Sequence, residues 1–140
     1  MEPFVHEVAV RFHEVDPAGV VFFSRYFQYA HDAYEAWLRA IGLSLDPPVL
    51  RGDYALPLVR AEADFRSPVR LGARLRVELE PLSVGKTSYT MLARICTPEG
   101  AAAVVRFVSV CVDPAAWRPH PLPERLRTAL LAQMPKGAGG

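Results

Sequence analysis

The chain has 140 residues, a formal net charge of +1, 51% hydrophobic and 22% charged residues. That is the balance of one ordinary globular domain with enough apolar material for a core. The small net charge gives no overall electrostatic case for nucleic-acid or membrane-surface binding. No apolar run approaches the ~18 residues of a membrane span.

Residues 4–14 alternate, with Val8, Val10 and Phe12 on one side and Glu7, Ala9, Arg11 and His13 on the other. This pattern predicts a half-buried strand. Asp16-Pro17-Ala18-Gly19 follows and reads as a turn, since Pro fixes its own φ and Gly permits a positive one. From Ser24 to Ile41 the apolar period changes to three and four, through Tyr26, Phe27, Ala30, Ala33, Tyr34, Trp37 and Leu38. The spacing predicts a long helix, capped by Ser24 and stopped by Gly42. Its stripe is wide and aromatic, so a sheet is expected to cover it.

Residues 43–56 read as a loop containing Pro and Gly. Four strand-like runs follow, at about 57–66, 73–83, 87–96 and 102–112, with breaks short enough for antiparallel hairpins. Leu75, Val77 and Leu79 alternate with Arg74, Arg76, Glu78 and Glu80, so one face of that strand is expected inside. Pro123–Met134 predicts a short amphipathic helix, and the Gly-rich end, 136–140, a frayed tail. Cys96 and Cys111 lie in apolar stretches without metal-type spacing and read as small buried hydrophobes. The N-terminal residues lack the layout of a signal peptide, so a cytoplasmic location is the expectation. One helix against one antiparallel sheet is an α+β arrangement in a single domain, 1–135. A five-stranded sheet leaves edges, and pairing two copies would cover them.

Two segments carry a family resemblance. Asp16-Pro17-Ala18-Gly19-Val20-Val21-Phe22-Phe23-Ser24-Arg25-Tyr26, followed by the long helix, resembles the signature of hotdog-fold thioesterases. The nearest groups are the 4-hydroxybenzoyl-CoA thioesterases and the YbgC-type acyl-CoA thioesterases. Leu56 to Gly72, with Val59-Arg60-Ala61 and Arg66-Ser67-Pro68 inside it, resembles the family's second strand and the turn after it. A weaker match runs from Val104 to Asp113 and on to Arg118-Pro119 and Leu122-Pro123. The resemblance implies a five-stranded antiparallel sheet wrapped around a long central helix. It also implies a homodimer that often pairs into a tetramer, and no metal or organic cofactor, coenzyme A being part of the substrate.

Thioester hydrolysis needs an attacking oxygen and donors for the charge that builds on the carbonyl oxygen. Asp16 is the candidate carboxylate, as nucleophile or as general base toward water. The helix start offers free N–H groups, and by family analogy the donor is the backbone N–H of Phe23. Gly19 leaves room where backbone and substrate approach. Phe23 stands where YbgC-type relatives carry His and the 4-hydroxybenzoyl enzyme carries Tyr, so a backbone role survives and the pocket is expected to be more apolar. For coenzyme A, the turn Lys86-Thr87-Ser88 offers one cation and two hydroxyls, and Arg66 and Arg70 are further candidates. Val59, Arg60 and Ala61 align with the strand beside the pantetheine arm, and Phe22 and Tyr26 are expected to meet the acyl group. His13 and His31 are candidates for titration near neutrality. Two other readings stand beside the general acyl-CoA thioesterase. One is an enzyme specific for an aromatic acyl-CoA such as hydroxybenzoyl- or dihydroxynaphthoyl-CoA; the other is a hotdog module that binds acyl-CoA without cleaving it.

Overall fold

A computed structural model describes residues 2–43 and 53–135. The tail at 136–140 and most of the 43–56 loop lie outside them. Five strands form one antiparallel sheet: β1 (Phe4–Ala9), β2 (Leu58–Phe65), β3 (Arg74–Val84), β4 (Ser88–Thr97) and β5 (Gly100–Val110). Their order across the sheet is β1-β3-β4-β5-β2. Between β1 and β2 in sequence lies the helix α1 (Arg25–Ala40), which touches all five strands. The sheet therefore curls around a single helix, as the wide apolar stripe requires. Tyr29, Ala30, Ala33, Trp37 and Leu38 on α1 are at most 2% exposed and face Leu75, Val77, Leu79, Met91, Ala93 and Ile95. Burying each large side chain contributes about 1.5–3 kcal/mol.

The outer row of β3 keeps its charges, and Glu80, the most buried of them, is paired with Arg94 of β4. A short ribbon, β6 (Val112–Asp113) with β7 (Arg118–Pro119), leads to α2 (Glu124–Gln133). Leu126 and Leu130 of α2 complete the core.

Several sequence expectations change. The first strand ends at Ala9 rather than at Glu14. Val10 still donates to the Ala73 carbonyl (3.0 Å), one step beyond the last strand pair, Ala9 with Arg74, and residues 12–14 then turn as one 3₁₀ turn. Phe12, expected inside, is 81% exposed. Ser24 already has helical angles (φ −68°, ψ −21°), and its side chain makes no capping bond. Gly42 does stop the helix, at φ +80°. The N–H groups of Gly42 and Leu43 reach back to the carbonyls of Arg39 and Leu38, which satisfies the last turn. Both cysteines are free, Cys111 buried and Cys96 half-buried.

Candidate active site

The turn at Asp16 is the tip of a very short hairpin. Val15 pairs with Val21 in antiparallel fashion, and the Phe22 N–H donates to the Glu14 carbonyl (2.9 Å). Inside this pair, the Asp16 N–H donates to the Val20 carbonyl and the Gly19 N–H to the Asp16 carbonyl, each at 2.9 Å. Closing so tight a loop takes Gly19 to φ +82°, a conformation that other residues adopt only with strain. The Asp16 side chain completes the turn. Its Oδ1 accepts from the N–H groups of Ala18 (2.9 Å) and Val20 (3.3 Å), so the carboxylate is held by one oxygen. No bond of the second oxygen is found among the described residues, and the side chain is half-buried.

The same hairpin carries the start of α1. The Arg25 N–H donates to the Phe22 carbonyl (2.9 Å), which opens the helix. The N–H groups of Phe23 and Ser24 have no protein acceptor among the described residues. They belong to the positive end of the helix dipole, where an anionic oxygen is favoured. Two buried tyrosines fix this end of the helix. Tyr29 donates its hydroxyl to Glu14 Oε1 (3.1 Å), which also accepts the Arg11 N–H (2.8 Å). Tyr26 bonds to the backbone of Val69, the residue whose carbonyl holds the Val21 N–H at 2.8 Å. Burial pushes both phenols above their ordinary range, so both stay protonated and able to donate. Carboxylate loop and helix start thus share the same supports.

Two concavities flank the helix start. A shallow depression beside Phe23 is lined by Val21, Tyr26, Phe65, Arg66, Ser67 and Pro68. A deeper chamber of about 180 Å³ lies between α1 and β2, walled by Phe27, Ala30, His31, Leu58, Ala61, Val105 and Phe107. Exposed apolar side chains gather on this side of the molecule: Phe22, Phe23, Leu58, Val59 and Phe65 are 48–60% exposed. A patch of that kind marks a binding surface.

The expected site residues divide into two groups. Asp16, Gly19, Phe22, the Phe23 N–H, Tyr26 and Arg66 come together around the helix start. Tyr26 is 4% exposed and hydrogen-bonded, so it forms the floor of the depression. Ala61 lines the chamber. Val59 is the extra residue of a β-bulge on the open edge of β2, and Arg60 pairs loosely with Glu62 at 3.6 Å. Lys86, Thr87 and Ser88 lie elsewhere. They follow the far end of β3, whereas the Asp16 hairpin rests on residues 69–71 before its near end. Eleven strand residues separate the two ends, roughly 30 Å. The carbonyls of Lys86 and Thr87 are taken by Leu122 and Cys111. No single chain brings this turn to Asp16.

Sequence reasoning passed over Glu14 and most of the chamber wall, of which it had singled out only Ala61 and His31, for other roles. Glu14 looked like any surface carboxylate. Its contact with Tyr29 depends on the turn at residues 12–14, which alternation had hidden. Phe27 and His31 sit four apart on α1, but nothing in the helix pattern says that β2 leaves a gap opposite them.

Comparison with known proteins adds to this geometry. A sequence profile described as the thioesterase-like superfamily matches residues 10–130. A 1,4-dihydroxy-2-naphthoyl-CoA hydrolase of Synechocystis is 36% identical over 132 residues, covering 93% of this chain and 96% of the relative. Its counterpart from Synechococcus elongatus is 32% identical over 128 residues, covering 91% and 94%. The crystal structure of a 1,4-dihydroxy-2-naphthoyl-CoA thioesterase from Synechocystis superposes with a TM-score of 0.87 at 35% identity, over 91% of this chain and 95% of that one. The class these findings define is a hotdog-fold acyl-CoA thioesterase. The chain belongs to the thioesterase-like superfamily. Among the described residues no helix is long and apolar enough to cross a membrane.

Proposed function

We propose that this thioesterase cleaves an aromatic acyl-CoA, with Asp16 as the reacting carboxylate and the Phe23 N–H as the donor to the thioester oxygen. The observation that carries it is the shared hairpin, with a carboxylate held by one oxygen and an open helix end next to it. The carbonyl oxygen gains negative charge as the carbon becomes tetrahedral, and an N–H at a helix start is preorganised for that charge. If the free oxygen of Asp16 attacks the carbon, the C–S bond breaks and coenzyme A leaves as thiolate. Water then cleaves the Asp16 anhydride to a carboxylic acid. If Asp16 instead takes a proton from water, the hydroxide attacks and the same products form in one addition–elimination sequence. The aromatic preference is supported by the small apolar chamber, flanked by Phe27 and Phe107, and by the substrate in the names of the relatives. Arg66, which lines the depression beside Phe23, is a candidate cation for the coenzyme.

The unit proposed to act is a homodimer. Strand β2 is an open edge, seven of its eight residues are exposed, and three large apolar side chains project from it. A second copy on this edge would cover them, and could supply Lys86, Thr87 and Ser88 to the coenzyme arm that runs past Val59, Arg60 and Ala61. The dimer of dimers implied by the family resemblance is proposed with it. Thiol release from a panel of straight-chain and aromatic acyl-CoAs tests the activity, with Asp16→Asn as control. Tight binding without thiol release would instead support the non-cleaving module. Sedimentation of the wild type and of Phe65→Asp tests the assembly: a wild-type monomer with full activity refutes the dimer.

A further inference from the structure

One large aromatic side chain stands apart from both the core and the Asp16 hairpin. Trp117, at the tip of the β6–β7 ribbon, is 62% exposed and belongs neither to the core nor to the side chains packed on it. Its φ is +54°, and it is the one residue other than glycine with a positive φ among the described residues. A bulky side chain is strained there, where Gly or Asn would be relaxed. The tip is nonetheless closed tightly. The Trp117 N–H donates to the Asp113 carbonyl (2.7 Å), and Asp113 Oδ1 accepts from the N–H groups of Ala115 (2.8 Å) and Ala116 (3.3 Å). A fixed turn thus offers the indole to solvent, and strain kept at an exposed side chain implies a role beyond folding.

The base of the ribbon is tied to the Lys86 turn. The Cys111 N–H donates to the Thr87 carbonyl (2.7 Å), and the Leu122 N–H to the Lys86 carbonyl (3.1 Å). Trp117 is one step beyond the Asp113–Arg118 pair, roughly 10 Å along the ribbon from Cys111. Lys86 and Arg118 are exposed, and neither forms an ion pair among the described residues. Arg127 joins them, its Nη1 donating to the Gly85 carbonyl (2.7 Å). Indole and cations therefore share one end of the sheet.

On its other side the ribbon reaches β2. Val112 pairs with Ala55, on the chain that leads into Leu58. A two-fold pairing at the β2 edge runs the copies antiparallel, so the Phe65 end of one β2 meets the Leu58 end of the other. Phe65 touches Tyr26 at the helix start, with ring centroids 5.1 Å apart. In such a dimer the ribbon of one copy lies beside the helix start of the other, on the way to the Lys86 turn.

We infer that the partner's Trp117 is a stacking platform for the adenine ring of coenzyme A. The phosphates of the coenzyme stand between its pantetheine arm and its adenosine, and on this path they meet the cations before the base meets the indole. Adenine is flat and uncharged, and an exposed indole face takes it by stacking. Trp117 thereby reads the carrier of the thioester rather than the acyl group, favouring coenzyme A over carriers that lack a nucleotide. The inference rests on the dimer proposed above.

The experiment compares two carriers, coenzyme A and pantetheine, each bearing a 2-naphthoyl or an octanoyl group. Pantetheine keeps the thioester and the arm and lacks the nucleotide. Two acyl groups make the comparison independent of which one the enzyme prefers. Thiol release is measured for wild type, Trp117→Asn and Trp117→Phe; Asn accepts a positive φ, so the ribbon keeps its shape. The preference for the coenzyme carrier, as a ratio of kcat/KM, is expected to fall about tenfold in Trp117→Asn, through KM. That is the scale of one base stacked on one ring, and Trp117→Phe should keep part of it. Adenosine 3′,5′-bisphosphate should quench the tryptophan fluorescence of the wild type and not that of Trp117→Asn, whose remaining Trp37 is 2% exposed. Both proteins should sediment as dimers. A dimeric Trp117→Asn with the wild-type carrier ratio and quenching overturns the role of Trp117 and leaves the dimer intact. A fluorescence response to phosphatidylglycerol vesicles and none to the bisphosphate overturns it in favour of a membrane surface. A monomeric Trp117→Asn beside a dimeric wild type overturns it in favour of a subunit contact. A monomeric wild type overturns the dimer and this inference with it.

Discussion

Asp16 has two jobs in one side chain, and two substitutions separate them. Oδ1 holds the N–H groups of Ala18 and Val20, while the second oxygen is the one proposed to react. Asparagine keeps a carbonyl oxygen for the two N–H groups and replaces the second oxygen by an amide nitrogen. Asp16→Asn should therefore fold with stability within about 0.5 kcal/mol of the wild type. It should lose thiol release by on the order of a thousandfold, the scale of a positioned acid–base or nucleophilic group. Alanine removes both acceptors. Bonds to a charged acceptor contribute about 1.5–3 kcal/mol, but the loop is half-exposed and water can replace part of this. Asp16→Ala should then lose about 1–2 kcal/mol, roughly 3–8 °C in Tm for a chain of this size, with activity as low as in Asp16→Asn. Calorimetry and thiol release on the three proteins give both readings. Asp16→Asn turning over within a few-fold of wild type would refute the chemical role, and Asp16→Ala melting with Asp16→Asn would refute the structural one. Single turnover in ¹⁸O-water, with mass analysis of the peptide containing Asp16, detects the nucleophilic route wherever water opens the anhydride at the Asp16 carbon. Label enters the carboxylate only if an anhydride forms.

Further predictions concern the core behind the site. Tyr34 and Tyr89 share a buried hydrogen bond, and the Ser109 hydroxyl lies close to both without a hydrogen bond of good geometry. Changing either tyrosine to Phe strands the other hydroxyl and should cost about 1–3 kcal/mol in urea unfolding, while the double change costs less than the sum by about 1 kcal/mol; strict additivity would show that the pair is not coupled. Burial pushes Tyr34 up to about 12 and the Cys111 thiol to about 11, from ordinary values of 10.0 and 9.0. The unfolded chain releases both protons first, so their contribution is complete below about pH 9 and is lost as pH rises toward 12. Unfolding free energy should fall over that window, and less steeply in Cys111→Ala.

Much of the architecture is written in local pattern. The period of three and four from Tyr26 to Leu38 fixes α1, because only a helix puts those side chains on one buried face. The alternation of Leu75, Val77 and Leu79 fixes the inward face of β3 in the same way. Asp16-Pro17-Ala18-Gly19 declares a turn through the chemistry of its own residues, and it led to the family resemblance through the motif that follows. Where pattern misled, the backbone had turned: residues 12–14 form a 3₁₀ turn, and Phe12 faces solvent instead of the core. Tertiary structure alone decided that Glu14 and Val69 brace the helix start, that β2 stands off from α1 to leave a chamber, and that His31 borders it. It also decided that the Lys86 turn lies at the opposite end of the sheet from Asp16. The reason is physical: periodicity reports which face of an element is buried, while a cavity is the place where two buried faces fail to meet, and that depends on the packing of residues far apart in the chain.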